Sequence, residues 1–230
     1  MRLSHLIAMV FLYSSSLWSQ YELIAFQGFE PQVSWGEPAY STPPCIQGDD
    51  YWGPVSQLGN ISPSQGTLFW GVQDLNGECG SNGFEWLELP EVEVTGYQNV
   101  ICRLDYWVEG YDAGDDIELE PWFDGEPQER IVLVDGAGDF TTSGWVEASI
   151  EVPNRVRAFK LRIYVKQNGT DQAGIDNIRL EGITVRPCAE LLISEYVEGT
   201  SSSDHRNNFI EIYNPGENEI ELNGYALAKN

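Results

Sequence analysis

Strict alternation of apolar and polar residues, interrupted every few positions by Gly, Pro, Asn or Asp, is the feature that most limits what this chain can become. After Gln20 no stretch of ten or more residues carries apolar side chains at helical spacing. Successive side chains of a strand point to opposite faces, so a period of two names the buried face directly. Residues 101–108 show it best: Cys102, Leu104, Tyr106 and Val108 share one face, and Arg103, Asp105 and Trp107 the other. Residues 116–120, DIELE, put Ile117 and Leu119 inward and Asp116, Glu118 and Glu120 outward. Residues 159–165 set Phe159, Leu161, Ile163 and Val165 against Lys160, Arg162 and Tyr164. Further strands are expected at 23–29, 67–72, 130–134 and 175–185, whereas 32–66, rich in Pro, Gly and Ser, reads as long loops. Short alternating strands separated by turn residues specify an all-β antiparallel sandwich.

The sequence has 36 Asp and Glu against 12 Lys and Arg, a formal charge of -24 over 230 residues. A negative field over most of the surface repels phosphate backbones and anionic lipids, which excludes nucleic acid and membrane surfaces as partners of these residues and leaves calcium and neutral or cationic partners open. The first residues read as a secretory signal over 1–19: Arg2 precedes the apolar run LIAMVFLY, which is too short to span a bilayer, and cleavage is expected after Ser19. No Cys lies near that cut and no later run reaches membrane length, so a secreted or cell-surface protein without membrane insertion is expected.

Export changes the meaning of the cysteines. Cys45, Cys79, Cys102 and Cys188 are scattered and form no CxxC, which disfavours zinc and dithiol redox chemistry and favours two disulfides. Of the three connectivities, Cys45 with Cys79 is preferred, both lying in polar loop-like sequence, which leaves Cys102 with Cys188.

FQGFE near the start, GTLFWGVQDLNG, the central acidic strand and GIDNIRL resemble the jelly-roll modules of secreted bacterial proteins, with MAM and carbohydrate-binding jelly rolls similar in outline. The resemblance implies a jelly-roll sandwich over 20–187. After Cys188, ISEYVEG, a polar loop, FIEIYNP and NGY resemble the opening of a bacterial lamin-tail domain, an Ig-like sandwich, so 188–230 is expected to be the incomplete N-terminal part of one. Together these resemblances imply a secreted, non-catalytic adhesion, glycan-binding or spacer region whose partner is a polysaccharide or a cell-surface protein. The alternative they imply is the accessory region of a larger extracellular hydrolase, a nuclease or phosphatase, with its catalytic domain beyond Asn230.

Chemistry is sparse. The jelly-roll resemblance implies a structural calcium ion where first and last strands meet, with Glu30, Asp74 and Asp176 at matching positions. Asp74, Asn76, Glu78, Asn82 and Glu85 also fall at calcium-loop spacing, although Cys79 stands where such a loop needs Gly. Asp116, Glu118 and Glu120 do not offer the close carboxyl pair of a retaining glycosidase and read as a solvated face paired with Lys160, Arg162 and Lys166. His205, the one histidine left after cleavage, lies in a polar loop, and neither a nucleophile elbow nor an HExxH motif is present, so no catalytic residue is expected. Flat aromatic rings can stack on sugars, and Tyr51, Trp52, Trp107 and Trp122 are the expected stacking residues.

Overall fold

The computed structural model describes residues 21–81, 83–185, 192–197 and 209–213. The expected signal peptide, Cys188 and His205 lie outside them. Contacts divide the chain into two compact units, Met1–Thr184 and Val185–Asn230. Among the described residues there is no helix.

The first unit is a sandwich of two antiparallel sheets. Sheet A contains seven strands: β1 (Glu22–Gln27), β3 (Cys45–Gln47), β4 (Asp50–Val55), β5 (Phe69–Gln73), β8 (Tyr97–Glu109), β12 (Val146–Val152) and β14 (Gln172–Thr184). They run in the order β12-β8-β14-β5-β4-β3. The long central strand β14 holds β8 on one edge, while its other edge is shared, with Gln172–Ile175 pairing β5 and Ile178–Gly182 pairing β1. Sheet B is also seven-stranded, in the order β10-β9-β13-β6-β2, with β11 on β9 and β7 on β13. Its strands are β2 (Ala39–Tyr40), β6 (Glu85–Glu88), β7 (Val92–Glu93), β9 (Asp116–Phe123), β10 (Glu126–Pro127), β11 (Ile131–Val134) and β13 (Ala158–Lys166). The second unit contributes an antiparallel pair, β15 (Leu192–Val197) with β16 (Phe209–Tyr213).

The alternation placed the core correctly. Cys102, Leu104, Tyr106 and Val108 of β8 face Ile117 and Leu119 of β9 and Phe159, Leu161, Ile163 and Val165 of β13, all within one buried cluster. Stretch 32–66 is not the long loop expected, since β2, β3 and β4 form within it. β2 and β3 are hidden by their shortness, because two or three residues hold no readable period, and in the six-residue β4 Gly53 and Pro54 disguise the strand.

Part of the outward face of sheet A is covered, while Arg103, Glu147 and Arg179 on the same face stay open to solvent. Residues 56–66 fold back over the covered part, with Leu58 and Ile61 bridged by paired backbone hydrogen bonds of 3.0 and 2.8 Å. Val55, Leu58, Ile61 and Phe69 make a second, smaller core with Tyr51, Trp107 and Trp145. Two glycines let this roof settle on the sheet: a Cβ on Gly174 would stand 2.8 Å from the Trp145 ring and 3.0 Å from Ile61, and one on Gly71 would stand 2.5 Å from Val55. Hydrogen bonds anchor the roof further, from Trp145 Nε1 to the Ser62 carbonyl (2.9 Å) and from the Ser64 and Gln65 amides to Asp176 (2.8 and 3.0 Å).

One disulfide joins Cys45 to Cys79 across a sequence separation of 34. It ties edge strand β3 to the loop after β5, and the loop it closes in the unfolded chain sets its worth in the chain-entropy model at roughly 4 kcal/mol. Cys79→Ala is therefore expected to lower the free energy of unfolding by that amount and to steepen its dependence on urea, since the unfolded chain is released from the crosslink, read by equilibrium denaturation. The second expected bridge, Cys102–Cys188, is corrected. Cys102 is a free thiol with no exposed surface, set between Ile150 and Leu180 in the core, where burial pushes its thiol well up. Strand β14 leaves the sheet at the Tyr97 end of β8, not beside Cys102.

Candidate ligand-binding face

Among the described residues no roof like that of sheet A covers the outward face of sheet B, whose composition follows from the same alternation that built the core. With Ile117, Leu119 and Pro121 turned inward, β9 must present Asp116, Glu118, Glu120 and Trp122 outward. Strand β13 presents Lys160, Arg162, Tyr164 and Lys166, and β6 presents Trp86 and Glu88. Register then sets neighbours: Lys160 stands across from Trp122, Arg162 between Glu88 and Glu120, and Tyr164 between Trp86 and Glu118.

Arg162 is the centre of this face. Its Nε donates to Glu88 Oε2 at 2.9 Å, Nη2 lies 2.5 Å from the same oxygen, and Nη1 donates to the Tyr164 hydroxyl at 3.0 Å. Its guanidinium carbon stands 4.8 Å from the Trp86 ring centre and 5.3 Å from that of Trp122, so one planar cation bridges two indoles. The Lys160 ammonium lies 3.9 Å over Trp122 and 3.2 Å from Glu88. From the turn before β11, Arg130 covers the Tyr164 ring at 3.6 Å and donates to Glu118 (2.8 Å) and Glu120 (3.3 Å). Phe84 closes the edge, meeting Tyr164 edge-on at 6.0 Å.

Glu120 receives Trp122 Nε1 (2.9 Å) and the Tyr164 hydroxyl (3.2 Å) besides Arg130. Burial pushes its carboxyl up, but these donors outweigh that and hold it below its ordinary value. The pairing of DIELE with basic residues across the sheet is present, as Arg162–Glu120 at 3.8 Å and Lys166–Asp116 at 3.9 Å, although Lys160 goes to Glu88. Arg130, Lys160 and Arg162 thus balance Glu88, Glu118 and Glu120, which makes this a locally neutral face on a chain of charge -24.

Of the four expected stacking residues, only Trp122 lies here. Trp52 is corrected: it has no exposed surface, meets Trp70 edge-on at 5.1 Å and donates Nε1 to the Thr42 carbonyl. Tyr51 and Trp107 are corrected too, since both pack beneath the roof of sheet A, with Trp107 edge-on to Trp145 at 5.9 Å. Trp86, Phe84, Tyr164 and Arg130 went unread as members of a site. Trp86 lies in a four-residue strand whose sequence neighbours suggested an acidic loop, while Tyr164 was placed correctly as outward by its alternation with Ile163 and Val165.

The expected calcium residues do not converge. Glu30 accepts the Thr67 and Leu68 amides and the Thr67 hydroxyl, which hold its carboxyl low. Asp176 is fully buried and accepts the Ser64, Gln65 and Asn177 amides. Both pin the chain just before β5, whereas Asp74 follows the far end of that strand and clusters with Asp49 and Asp50. Burial first, then the Asp50 and Asp49 charges, push Asp74 up. The calcium-loop spacing fails as well, because Glu85 turns into the sandwich to accept hydrogen bonds from Ser41 and Thr42.

No protein-family model and no curated protein matches the chain. Solved structures with a related outline include TmCBM61 in complex with β-1,4-galactotriose, at 16% identity over 64% of this chain and 88% of that one, TM-score 0.40. The CBM22-1 xylan-binding domain of Paenibacillus barcinonensis Xyn10C is 12% identical over 72% and 97%, TM-score 0.41. The K1 cleaved adhesin domain of Lys-gingipain from Porphyromonas gingivalis is 13% identical over 71% and 98%, TM-score 0.42. At these scores the likenesses assign the chain no ligand.

Proposed function

We propose that the sandwich is a non-catalytic polysaccharide-binding module that works outside the cell, and that the outward face of sheet B receives the glycan. The observation that carries this reading is the lattice of Trp86, Trp122 and Tyr164 threaded by Arg130, Lys160 and Arg162 and by three carboxylates. A pyranose offers an apolar C–H face for an indole and a rim of hydroxyls that both donate and accept. A guanidinium supplies fixed donors and a carboxylate supplies acceptors in the plane of the ring. A bound sugar takes the place of the Lys160 ammonium over Trp122, and the ammonium turns to a sugar hydroxyl. The balanced charge of the face suits a neutral polymer, while the field of the whole chain repels a polyuronate. The Cys45–Cys79 bridge supports an oxidising compartment.

The test is affinity electrophoresis of the chain in gels containing xylan, galactan, mannan or polygalacturonate. Retardation by at least one neutral polymer is expected, and Trp122→Ala weakens it by about tenfold, the loss of one stacked aromatic anchor. Unretarded migration in every neutral gel, or retardation that both Trp122→Ala and Trp86→Ala leave unchanged, overturns the reading.

A further inference from the structure

On the outward face of sheet B one ring is shut away. Strand β13 turns Lys160, Arg162, Tyr164 and Lys166 outward, and of these only Tyr164 is buried, at 7% exposed. Trp86 and Trp122, its aromatic companions on the face, are half-buried. What lies over the Tyr164 ring is Arg130, whose guanidinium carbon stands 3.6 Å from the ring centre and 5.7 Å from that of Phe84. Phe84 meets the same tyrosine edge-on at 6.0 Å.

Arg130 differs from the other two cations of the lattice in where it is carried. Lys160 and Arg162 stand on β13, whereas Arg130 belongs to the stretch 128–130 between β10 and β11, outside any strand, and reaches in across β9. Its backbone is held on both sides, by the Gln128 amide on the Pro121 carbonyl (2.9 Å) and by the pairing of Ile131 with Leu119. The side chain itself is 38% exposed, against 23% for Arg162. Withdrawing it takes rotation about side-chain bonds and no movement of the sheet, and exposed side chains rotate within nanoseconds.

The position that Arg130 covers has the parts of a sugar site. Tyr164 offers a flat apolar ring face, and Phe84 closes one side of it. Glu118, whose only cation among the described residues is Arg130 at 2.8 Å, becomes a free acceptor when the guanidinium leaves. Glu120 also loses Arg130 (3.3 Å) but keeps the Trp122 indole and the Tyr164 hydroxyl, so it stays bonded. A pyranose brings the matching groups, C–H bonds for the ring and hydroxyl donors for Glu118. Tyr164 stands directly across from Trp86 in the sheet, so this position continues the floor that the two indoles begin.

We propose, resting on the polysaccharide-binding reading above, that Arg130 is a gate over a third sugar-stacking position, Tyr164, and sets how long a neutral glycan the face accepts. In the free protein the guanidinium occupies the place of one pyranose. A long chain reaches Tyr164 only by displacing it, so Arg130 holds back the affinity for long chains more than for short ones.

The test is calorimetric titration of the full chain with a ladder of neutral oligosaccharides cut from the polymer that retards it most, comparing the parent with Arg130→Ala. The ratio of affinity for the longest oligosaccharide to that for the shortest one that binds is expected to rise about tenfold in the variant, the gain of one stacked aromatic anchor. Adding Tyr164→Leu to Arg130→Ala returns the ratio to the parental value, whereas adding Tyr164→Phe, which keeps the ring and its packing, preserves the rise. The gate is overturned if Arg130→Ala weakens long and short chains alike, which makes Arg130 a direct donor to sugar, or if the ratio does not change. It is overturned as well if the rise survives Tyr164→Leu or is lost with Tyr164→Phe. If neither protein binds any neutral oligosaccharide or polymer, the glycan reading itself falls and takes the gate with it.

Discussion

Asp176→Ala is expected to cost about 4 kcal/mol of folding stability at neutral pH, and Asp176→Asn is expected to flatten the dependence of stability on pH between about 4 and 6. Asp176 is fully buried at the bulge of β14, and it organises the roof over sheet A. Three backbone amides, those of Ser64, Gln65 and Asn177, end on its carboxylate, and alanine leaves them in a space closed to water. Residues 56–66 then lose their anchor, and Phe69, Trp107 and Trp145 lose their cover. The pH effect has a definite sign. Burial pushes Asp176 up to about 6 against the opposing amide hydrogen bonds, with the Asp105 charge adding to the rise. Its unfolded value is near 4. Between those two values the folded chain holds a proton that the unfolded chain has released, so stability falls as pH rises through the window and stays lower above it. Two units correspond to roughly 3 kcal/mol. Chemical denaturation of the parent and Asp176→Asn from pH 4 to pH 8 reads this directly. A parent more stable at pH 8 than at pH 4.5, or a variant with an unchanged profile, contradicts the account.

How much of this was legible depended on the length of the period. Strands β8, β9 and β13 carry eight or more residues each, long enough for alternation to separate Leu104 from Asp105 and Ile163 from Arg162. Strand β6 has four residues and β2 has two, and the site suffers most from that, because Trp86 and Glu88 complete the face built by Trp122 and Arg162. Aromatic content did not distinguish stacking rings from core rings. Trp52 and Trp122 both follow polar or turn-forming sequence, but Trp52 lies in β4 between the sheets and Trp122 lies across from Lys160 on the open face. Outward-facing did not mean exposed either. Asp105 and Trp107 were assigned the correct face of β8, but that part of the face lies beneath a loop whose return over the sheet depends on Gly71 and Gly174, two positions that no hydrophobic pattern marks. The calcium triad failed for a related reason: motif order along a chain carries no distance, and the length of β5 separates Asp74 from the amides that hold Glu30.

Arg162→Ala is expected to weaken neutral-polysaccharide binding on the order of a hundredfold and to destabilise the sandwich by about 3 kcal/mol. The two losses have one cause. Its side chain is only 23% exposed, and it pairs with a Glu88 side chain only 20% exposed. Alanine leaves Glu88 with the Lys160 ammonium as its remaining cation, and that contact pulls Lys160 away from Trp122. The spacing between the Trp86 and Trp122 rings, which the guanidinium now fills, collapses or floods with water. A sugar then meets two rings no longer held in register and loses the planar donor between them. Arg162→Lys separates charge from shape. An ammonium can still neutralise Glu88, so most of the stability returns, but it cannot match the guanidinium's simultaneous donation to Glu88 and Tyr164 within reach of both indoles, so binding stays at least tenfold weak. Paired measurements of melting and gel retardation on the two variants distinguish these outcomes. If Arg162→Lys recovers binding in proportion to stability, the guanidinium serves only as a charge and the face does not read sugars through it. If Arg162→Ala melts like the parent, the lattice on sheet B is an exposed set of ion pairs and contributes nothing to holding the rings.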